Sequence, residues 1–195
     1  LPTIDDGAKD ASQSVQMLRL AKKQGIDTIV ATPHYYDDDN NIPTFLQNRD
    51  ASYRLLRDEL KMSNEAAPIV VLGAEVYLTC DIADNESLKS LCIGNTNSIL
   101  LEMPYGIWYD WTYQSIYKIM AKHRLIPIIA HLERYADKAG KTDRLERLLA
   151  MDIPIQINAA SLLDRYLWKT VKKLFMLSDR IVLGSDAHDL KDRKS

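Results

Sequence analysis

The hydrophobic positions of this chain fall into two alternating rhythms. Short, nearly continuous apolar runs rich in Ile, Val and Leu occupy 28–32, 69–72, 99–101, 126–130, 153–157 and 181–183. Runs of this kind suit strands buried on both faces of a parallel sheet. Between them the spacing changes to that of helices with one apolar face. Ala11, Val15, Leu18 and Ala21 share such a face, with Asp10 and Gln13 at capping-box spacing and Gly25 as a terminator. Tyr113, Ile116, Tyr117 and Met120 share another, as do Leu145, Leu148 and Leu149, and Leu167, Val171, Leu174 and Phe175. Leu46, Tyr53, Leu56 and Leu60 follow a helical period less cleanly.

Six strand signals alternating with helices predict a parallel α/β fold, which a doubly wound sheet or a barrel would satisfy. The polar residues favour a barrel, because they gather just past the strands: His34, Glu75, Glu102, His131 with Arg134, Asn158, and Asp186 with His188. In a barrel all those strand ends meet at one mouth, where barrel active sites lie. Three of the four histidines follow strands directly; the fourth, His123, reads as a surface or C-terminal capping residue.

Taken singly, each of these residues has an ordinary reading as a loop hydrogen-bond partner; the set points further. Several carboxylates in one mouth are costly unless cations neutralise them. Imidazole with carboxylate suits Mn, Fe or Zn, and a set without cysteine is not a structural zinc site. Arg134 could grip phosphate oxygens or simply pair with Glu133 or Asp137. Asp5-Asp6-Gly7 is a good turn, or else a carboxylate leaning into the mouth. The aromatic stretch from Tyr105 to Trp111 either covers the rim or forms a lid that stacks on an aromatic substrate. The acidic loop from Tyr35 to Asn41 reads as solvated.

Composition narrows the function. With 195 residues, 46% hydrophobic, the chain suits a single domain with a real core. A net charge of -2 argues against a nucleic-acid or polybasic membrane surface. No apolar run approaches the roughly 18 residues of a membrane span. Cys80 and Cys92 form neither a CxxC nor a disulfide framework and fit a reducing cytoplasm. Neither begins a Cys-x5-Arg phosphatase loop, since Glu86 and Ser98 stand where the arginine would be. Phosphoryl chemistry here would run through metal-activated water instead.

Six motifs in order carry a resemblance: Asp5-Asp6-Gly7-Ala8-Lys9-Asp10, Thr32-Pro33-His34, Gly73-Ala74-Glu75-Val76-Tyr77, Leu101-Glu102-Met103-Pro104, the run from Ala130 to Tyr135 (AHLERY) and Ser185-Asp186-Ala187-His188. Together they resemble the manganese-dependent protein tyrosine phosphatases of Gram-positive capsule and exopolysaccharide systems, in the polymerase and histidinol phosphatase (PHP) superfamily. The resemblance spans nearly the whole chain. It implies a distorted TIM-like (β/α)7 barrel binding two or three divalent metals, Mn2+ first, with Fe or Zn as alternatives. Carried over by motif, Glu75 would bridge two metals, Glu102 and His131 would complete one site, and Asp186 would serve another. Asp6, His34 and His188 would hold the third, and Arg134 and Arg193 would contact phosphate. Family members begin with a strand ending His-x-His just ahead of the stretch matching Leu1, and continue past the residue matching Ser195. The expectation is therefore one domain over 1–195, trimmed at both ends, whose barrel lacks its first strand. The implied reaction is hydrolysis of phosphotyrosine by metal-bound hydroxide, in the cytoplasm, on the tail of a bacterial tyrosine kinase that controls polysaccharide export. A small-molecule phosphatase acting on a compound such as histidinol phosphate, and a non-catalytic kinase-binding module, are the alternatives.

Overall fold

Each of the six apolar runs forms a strand, and every pairing is parallel. The computed structural model describes residues 1–38, 41–63, 66–135 and 142–190. The order is α1 (Ala11–Lys23), β1 (Thr28–Ala31), β2 (His34–Tyr35), α2 (Ile42–Ser63), β3 (Ile69–Leu72), β4 (Glu75–Tyr77), β5 (Ser98–Glu102) and α3 (Asp110–His123). There follow β6 (Ile126–Ile129), α4 (Thr142–Leu149), β7 (Ile155–Asn158), α5 (Trp168–Leu177) and β8 (Ile181–Gly184).

β1 pairs with β3, while β2, β4, β5, β6, β7 and β8 form a six-stranded sheet in that order. The two sheets share one pair of strands with a break in each. Ala31 pairs with Leu72 and His34 with Glu75, so the register is the same on both sides of the break. Pro33 interrupts the first strand because it has no N–H to give the ladder. Its carbonyl still accepts from the Glu75 N–H at 3.0 Å, and the Gly73 N–H reaches the Ala31 carbonyl at 2.9 Å. The break thus carries His34 and Glu75 forward as a pair. The start of β7 is delayed to Ile155 for the same reason, since Pro154 precedes it.

The strands alternate in what they face, as the period of two requires. Val76, Ile99, Leu101, Ile129, Ile155 and Ile157 are fully buried in the hydrophobic core. Glu75, Leu100, Ile128 and Gln156 face inward and line an internal cavity of about 510 Å³. The sheet is TIM-like in its sequential parallel order, and it stays open between β8 and the first strand: no ladder joins them among the described residues. Val30, Val182 and Leu183 line the cavity along this seam and are 43–52% exposed.

The helices follow the predicted faces with three differences. α2 runs unbroken although its periodicity is weak, because it serves two clusters. Ile42 and Phe45 enter the main core, whereas Leu56 joins Val15 and Leu18 of α1 in a second one. Its Ser52 hydroxyl also donates to the Pro2 carbonyl at 2.6 Å, anchoring the segment that carries Asp5 and Asp6. Tyr117 and Phe175, placed by spacing on core faces, are 53% and 47% exposed instead. Each lies at the margin of its apolar stripe, whose centre (Ile116 in α3, Val171 and Leu174 in α5) fills the contact. His123 ends α3 and reaches the Ala83 carbonyl at 2.9 Å through Nε2, a cap on a neighbouring turn.

α1 begins as its sequence signals. The Asp10 carboxylate accepts from the Gln13 N–H at 2.7 Å, and the Gln13 side chain accepts from the Lys9 N–H at 2.6 Å. Gly25 takes the left-handed conformation past the C-terminus, at φ +84. Asp10→Ala should therefore lower unfolding free energy by about 1 kcal/mol, with Asp10→Asn close to neutral. Urea denaturation of the two variants measures this; equal stabilities would show that the cap contributes nothing.

Candidate metal centre

All the strand-exit residues singled out in the sequence meet at one end of the sheet. His34 and Glu75 begin β2 and β4, just past the breaks after β1 and β3, Glu102 closes β5, His131 and Asp186 follow β6 and β8, and Asp6 lies ahead of α1. His131 and Asp186 both sit in the left-handed region, at φ +32 and +46. Non-glycine residues adopt it at a cost of roughly 1–3 kcal/mol, and such positions concentrate at functional sites. At His131 the backbone turns at once into a short 3-10 helix, Leu132–Arg134.

The side chains form one continuous cluster. His131 Nε2 lies 2.8 Å from Glu75 Oε1 and 4.0 Å from Glu102 Oε1. Ligand atoms of His34, Glu75 and Glu102 all lie within 4.8 Å of one another, as do those of Asp6, His34 and His188. His188 Nε2 stands 3.6 Å from Asp6 Oδ1, and its Nδ1 is 3.9 Å from Asp186 Oδ1. Two observations test whether cations fit. His131 is 3% exposed, yet its Nδ1 has no hydrogen-bond partner. Burial, and then the neighbouring charge of Glu75, push the Glu102 carboxyl up from its ordinary pKa. A buried imidazole whose Nε2 faces two crowded carboxylates, and whose Nδ1 has no partner, matches the donor chemistry of Mn, Fe or Zn. Cys80 and Cys92 stand apart from both clusters.

Several partners of the cluster went unassigned in the sequence. The Asp5 carboxylate, not Asp6, is the closer partner of His34: Oδ2 accepts from both the His34 N–H and Nδ1 at 3.1 Å. Oδ1 accepts from the Gly7 N–H at 3.1 Å, closing the turn. Burial works against this carboxylate, but the hydrogen bonds from His34 and Gly7 outweigh it and hold its pKa down at about 2. For His34 the hydrogen bond to Asp5 outweighs burial, the charges of Glu75, Asp5 and Asp6 add to it, and the pKa rises to about 9. With Nδ1 held by a carboxylate, Nε2 is the nitrogen left for a cation.

A second set crosses β7. The His131 N–H donates to Gln156 Oε1 at 2.6 Å, Gln156 Nε2 donates to Asn158 Oδ1 at 2.8 Å, and Asn158 Nδ2 donates to Asp186 Oδ2 at 2.9 Å. Two amides thus link the residues after β6 and β8. Buried Glu133 accepts from the Asn158 N–H at 3.1 Å and from the Ser161 hydroxyl at 2.9 Å, so it braces the backbone. The signal was present: in Ile155-Gln156-Ile157-Asn158 every second residue is an amide, but only Asn158 was noted, with no role. Arg134 is half exposed and pairs with Asp186, rather than with Glu133. Arg193 and Asp137 lie outside the described residues. In the aromatic stretch, Trp108 is buried and donates to the Pro104 carbonyl at 3.1 Å, while Tyr105 and Tyr109 are exposed. It is part cover and part open surface. Of the acidic loop, Asp37 accepts from the Thr79 hydroxyl at 2.7 Å, and residues 39 and 40 lie outside the described residues.

A Cβ at Gly184 would collide with Gln156 Nε2. Gly184→Ala should cost about 1–3 kcal/mol by overpacking, and much less when Gln156→Ala is already present. A double-mutant cycle by urea denaturation in chelator measures the coupling; strict additivity would mean that Gln156 is not what Gly184 accommodates.

Comparison with known proteins agrees with this geometry. A family profile described as "Capsular polysaccharide synthesis, CpsB/CapC" matches residues 1–195. Tyrosine-protein phosphatase YwqE of Bacillus subtilis (strain 168) is 32% identical over 204 residues, covering 99% of this chain and 76% of that protein. Tyrosine-protein phosphatase CpsB of Streptococcus agalactiae serotype III (strain NEM316) is 25% identical over 202 residues, covering 97% and 80%. A solved structure from work on YwqE of Bacillus subtilis and CpsB of Streptococcus pneumoniae, described as unique metal-dependent tyrosine phosphatases, superposes with a TM-score of 0.82 at 30% identity. It covers 99% of this chain and 78% of that one. A candidate histidinol phosphatase, hisK of Listeria monocytogenes, shares the fold alone, with a TM-score of 0.54 at 13% identity over 95% of this chain and 92% of its own. With its whole length matched, the chain belongs to the CpsB/CapC family of capsular polysaccharide synthesis.

Proposed function

We propose that this chain is a metal-dependent protein tyrosine phosphatase acting in the cytoplasm. The observation that carries the reading is the partly buried carboxylate–imidazole cluster with a guanidinium at its edge, in a chain whose relatives are named tyrosine-protein phosphatases. Glu75, Glu102, His131 and Asp186, together with Asp6, His34 and His188, would hold the cations. Mn2+ is the cation we assign. Bound cations would supply charge to the phosphoryl oxygens and acidify a water.

The protein's own groups do the rest. Arg134 is 49% exposed and held only by Asp186 among the described residues, so it can turn its fork to equatorial phosphate oxygens. Asp5 orients the His34 ring. The Gln156–Asn158 pair fixes the backbone at His131 and the carboxylate of Asp186. Neither cysteine belongs to the two ligand groups or begins a Cys-x5-Arg sequence. The substrate we assign is phosphotyrosine on a protein, the tail of a bacterial tyrosine kinase that controls polysaccharide export. No helix among the described residues is long and apolar enough to cross a membrane.

Hydrolysis of a phosphotyrosine peptide should require added Mn2+ and fall at least about a hundredfold in His131→Ala. Arg134→Ala should lower kcat by about 10²–10³-fold with metal content unchanged. Faster turnover of histidinol phosphate than of the peptide would replace the reading with a small-molecule phosphatase.

Metal uptake should also depend on pH. Below its raised pKa of about 9, His34 carries a proton that a cation must displace. Apparent affinity at that site should rise by about tenfold per pH unit up to about pH 9 and then level off. Asp5→Asn should move the plateau to lower pH. Titration calorimetry across pH 6–10 tests this, and an affinity independent of pH would remove His34 from the ligand set.

A further inference from the structure

The tyrosines around the cluster are placed in a way that the metal centre does not require. Tyr36 follows β2 and Tyr77 ends β4, and their rings meet at 5.6 Å between centroids. Tyr105 follows β5 and Tyr135 follows the turn after β6, and these rings meet edge to face at 6.1 Å. In the sheet order β2-β4-β5-β6, Glu102 stands at the end of β5 between the two pairs. Each pair also touches a histidine of the cluster: Tyr36 stacks on His34 at 5.9 Å, and Tyr135 packs on His131 at 5.5 Å.

The rings differ in cover. Tyr135 is 3% exposed, whereas Tyr36 and Tyr105 are 38% and 69% exposed. The inner ring of the second pair is a fixed support, held by Trp108 as well, and the outer ring is left presenting aromatic surface. The charge of Glu102 acts on Tyr36, Tyr77 and Tyr135, so both pairs border the same carboxylate. Burial, then Glu102 and its acidic neighbours, push the Tyr36 hydroxyl up to about 12, and burial with the same carboxylates drives Tyr135 up as well.

We infer that Tyr36 and Tyr105 are the walls that receive the phenyl ring of the substrate and so make the site select aryl over alkyl phosphate esters. The inference rests on the phosphatase reading, and it names the side chains that give its substrate preference. Aromatic rings meet favourably at centroid separations of about 4.5–7 Å, stacked or edge to face. A tyrosine wall is rigid, with two side-chain torsions to fix. A phosphoryl group seated at the cluster would carry the ring, through its ester oxygen, between the two pairs. An alkyl ester such as phosphoserine would leave that surface unfilled.

The test compares binding of phenylphosphonate and methylphosphonate, which share a head group and differ in the ring, to the full Mn2+-loaded chain by calorimetry. Wild type should prefer the phenyl compound. In Tyr36→Ala/Tyr105→Ala that preference should shrink by about three- to tenfold while methylphosphonate affinity and metal stoichiometry hold. In Tyr36→Phe/Tyr105→Phe it should stay within about twofold of wild type. No phenyl preference in wild type, an undiminished preference in the alanine pair, or an equal loss for both compounds would each overturn the inference. The phosphatase reading is judged separately, by turnover of the phosphotyrosine peptide in the same wild-type sample, and survives a failure of the ring walls.

Discussion

The structure depends on a crowd of carboxylates and imidazoles held at van der Waals range in a mouth where burial already penalises charge. Glu75 is 6% exposed and lies against His131, Glu102 is raised in pKa by burial and by Glu75, and Asp186 is shared between Arg134 and Asn158. A site so arranged is unfavourable unless something compensates it. The compensation visible in the chain is partial: Asp5 balances His34, Arg134 balances Asp186, and Glu75 leans on His131. Cations would complete it, which is why the orphaned nitrogen of His131 and the crowding of Glu102 are informative together.

The rest of the fold keeps that crowd in place. The apolar faces of β4, β5, β6 and β7 bury Val76, Leu101, Ile129 and Ile157 against the helices, so alternation sends Glu75, Glu102, Gln156 and Asn158 to the other face. A one-residue slip in any of these strands would exchange core and site. Both paired strands break over the same two positions, 32–33 and 73–74, and the register survives the break, so His34 and Glu75 arrive side by side. Left-handed backbone at His131 and Asp186 then turns two strand exits sharply, a strain that the amide pair of β7 helps to hold.

Much of this was legible in the chain. Runs rich in Ile, Val and Leu marked six of the eight strands; β2 and β4, the short continuations that begin at His34 and Glu75, had none, and those two residues were legible only as polar residues following a run. The misses share a cause. Spacing did not show that Asp5 holds the His34 ring, because that contact depends on where a residue 29 positions away arrives. It could not give Arg134 its partner, because Asp186 is distant in sequence and close only across β7. Tyr117 and Phe175 sit at the edge of their helical stripes, where the width of the neighbouring contact decides exposure.

By itself the sequence determined the type and order of the elements, the end of the sheet where polar groups collect, and the chemical class of the donors. These follow from local periodicity and residue chemistry, which need no distant partner. Tertiary structure alone decided which carboxylate holds His34, how two amides tie His131 to Asp186, and which tyrosines gather near Glu102. Each of those is a contact between strands far apart in the chain, set by register and by the direction in which each strand exits.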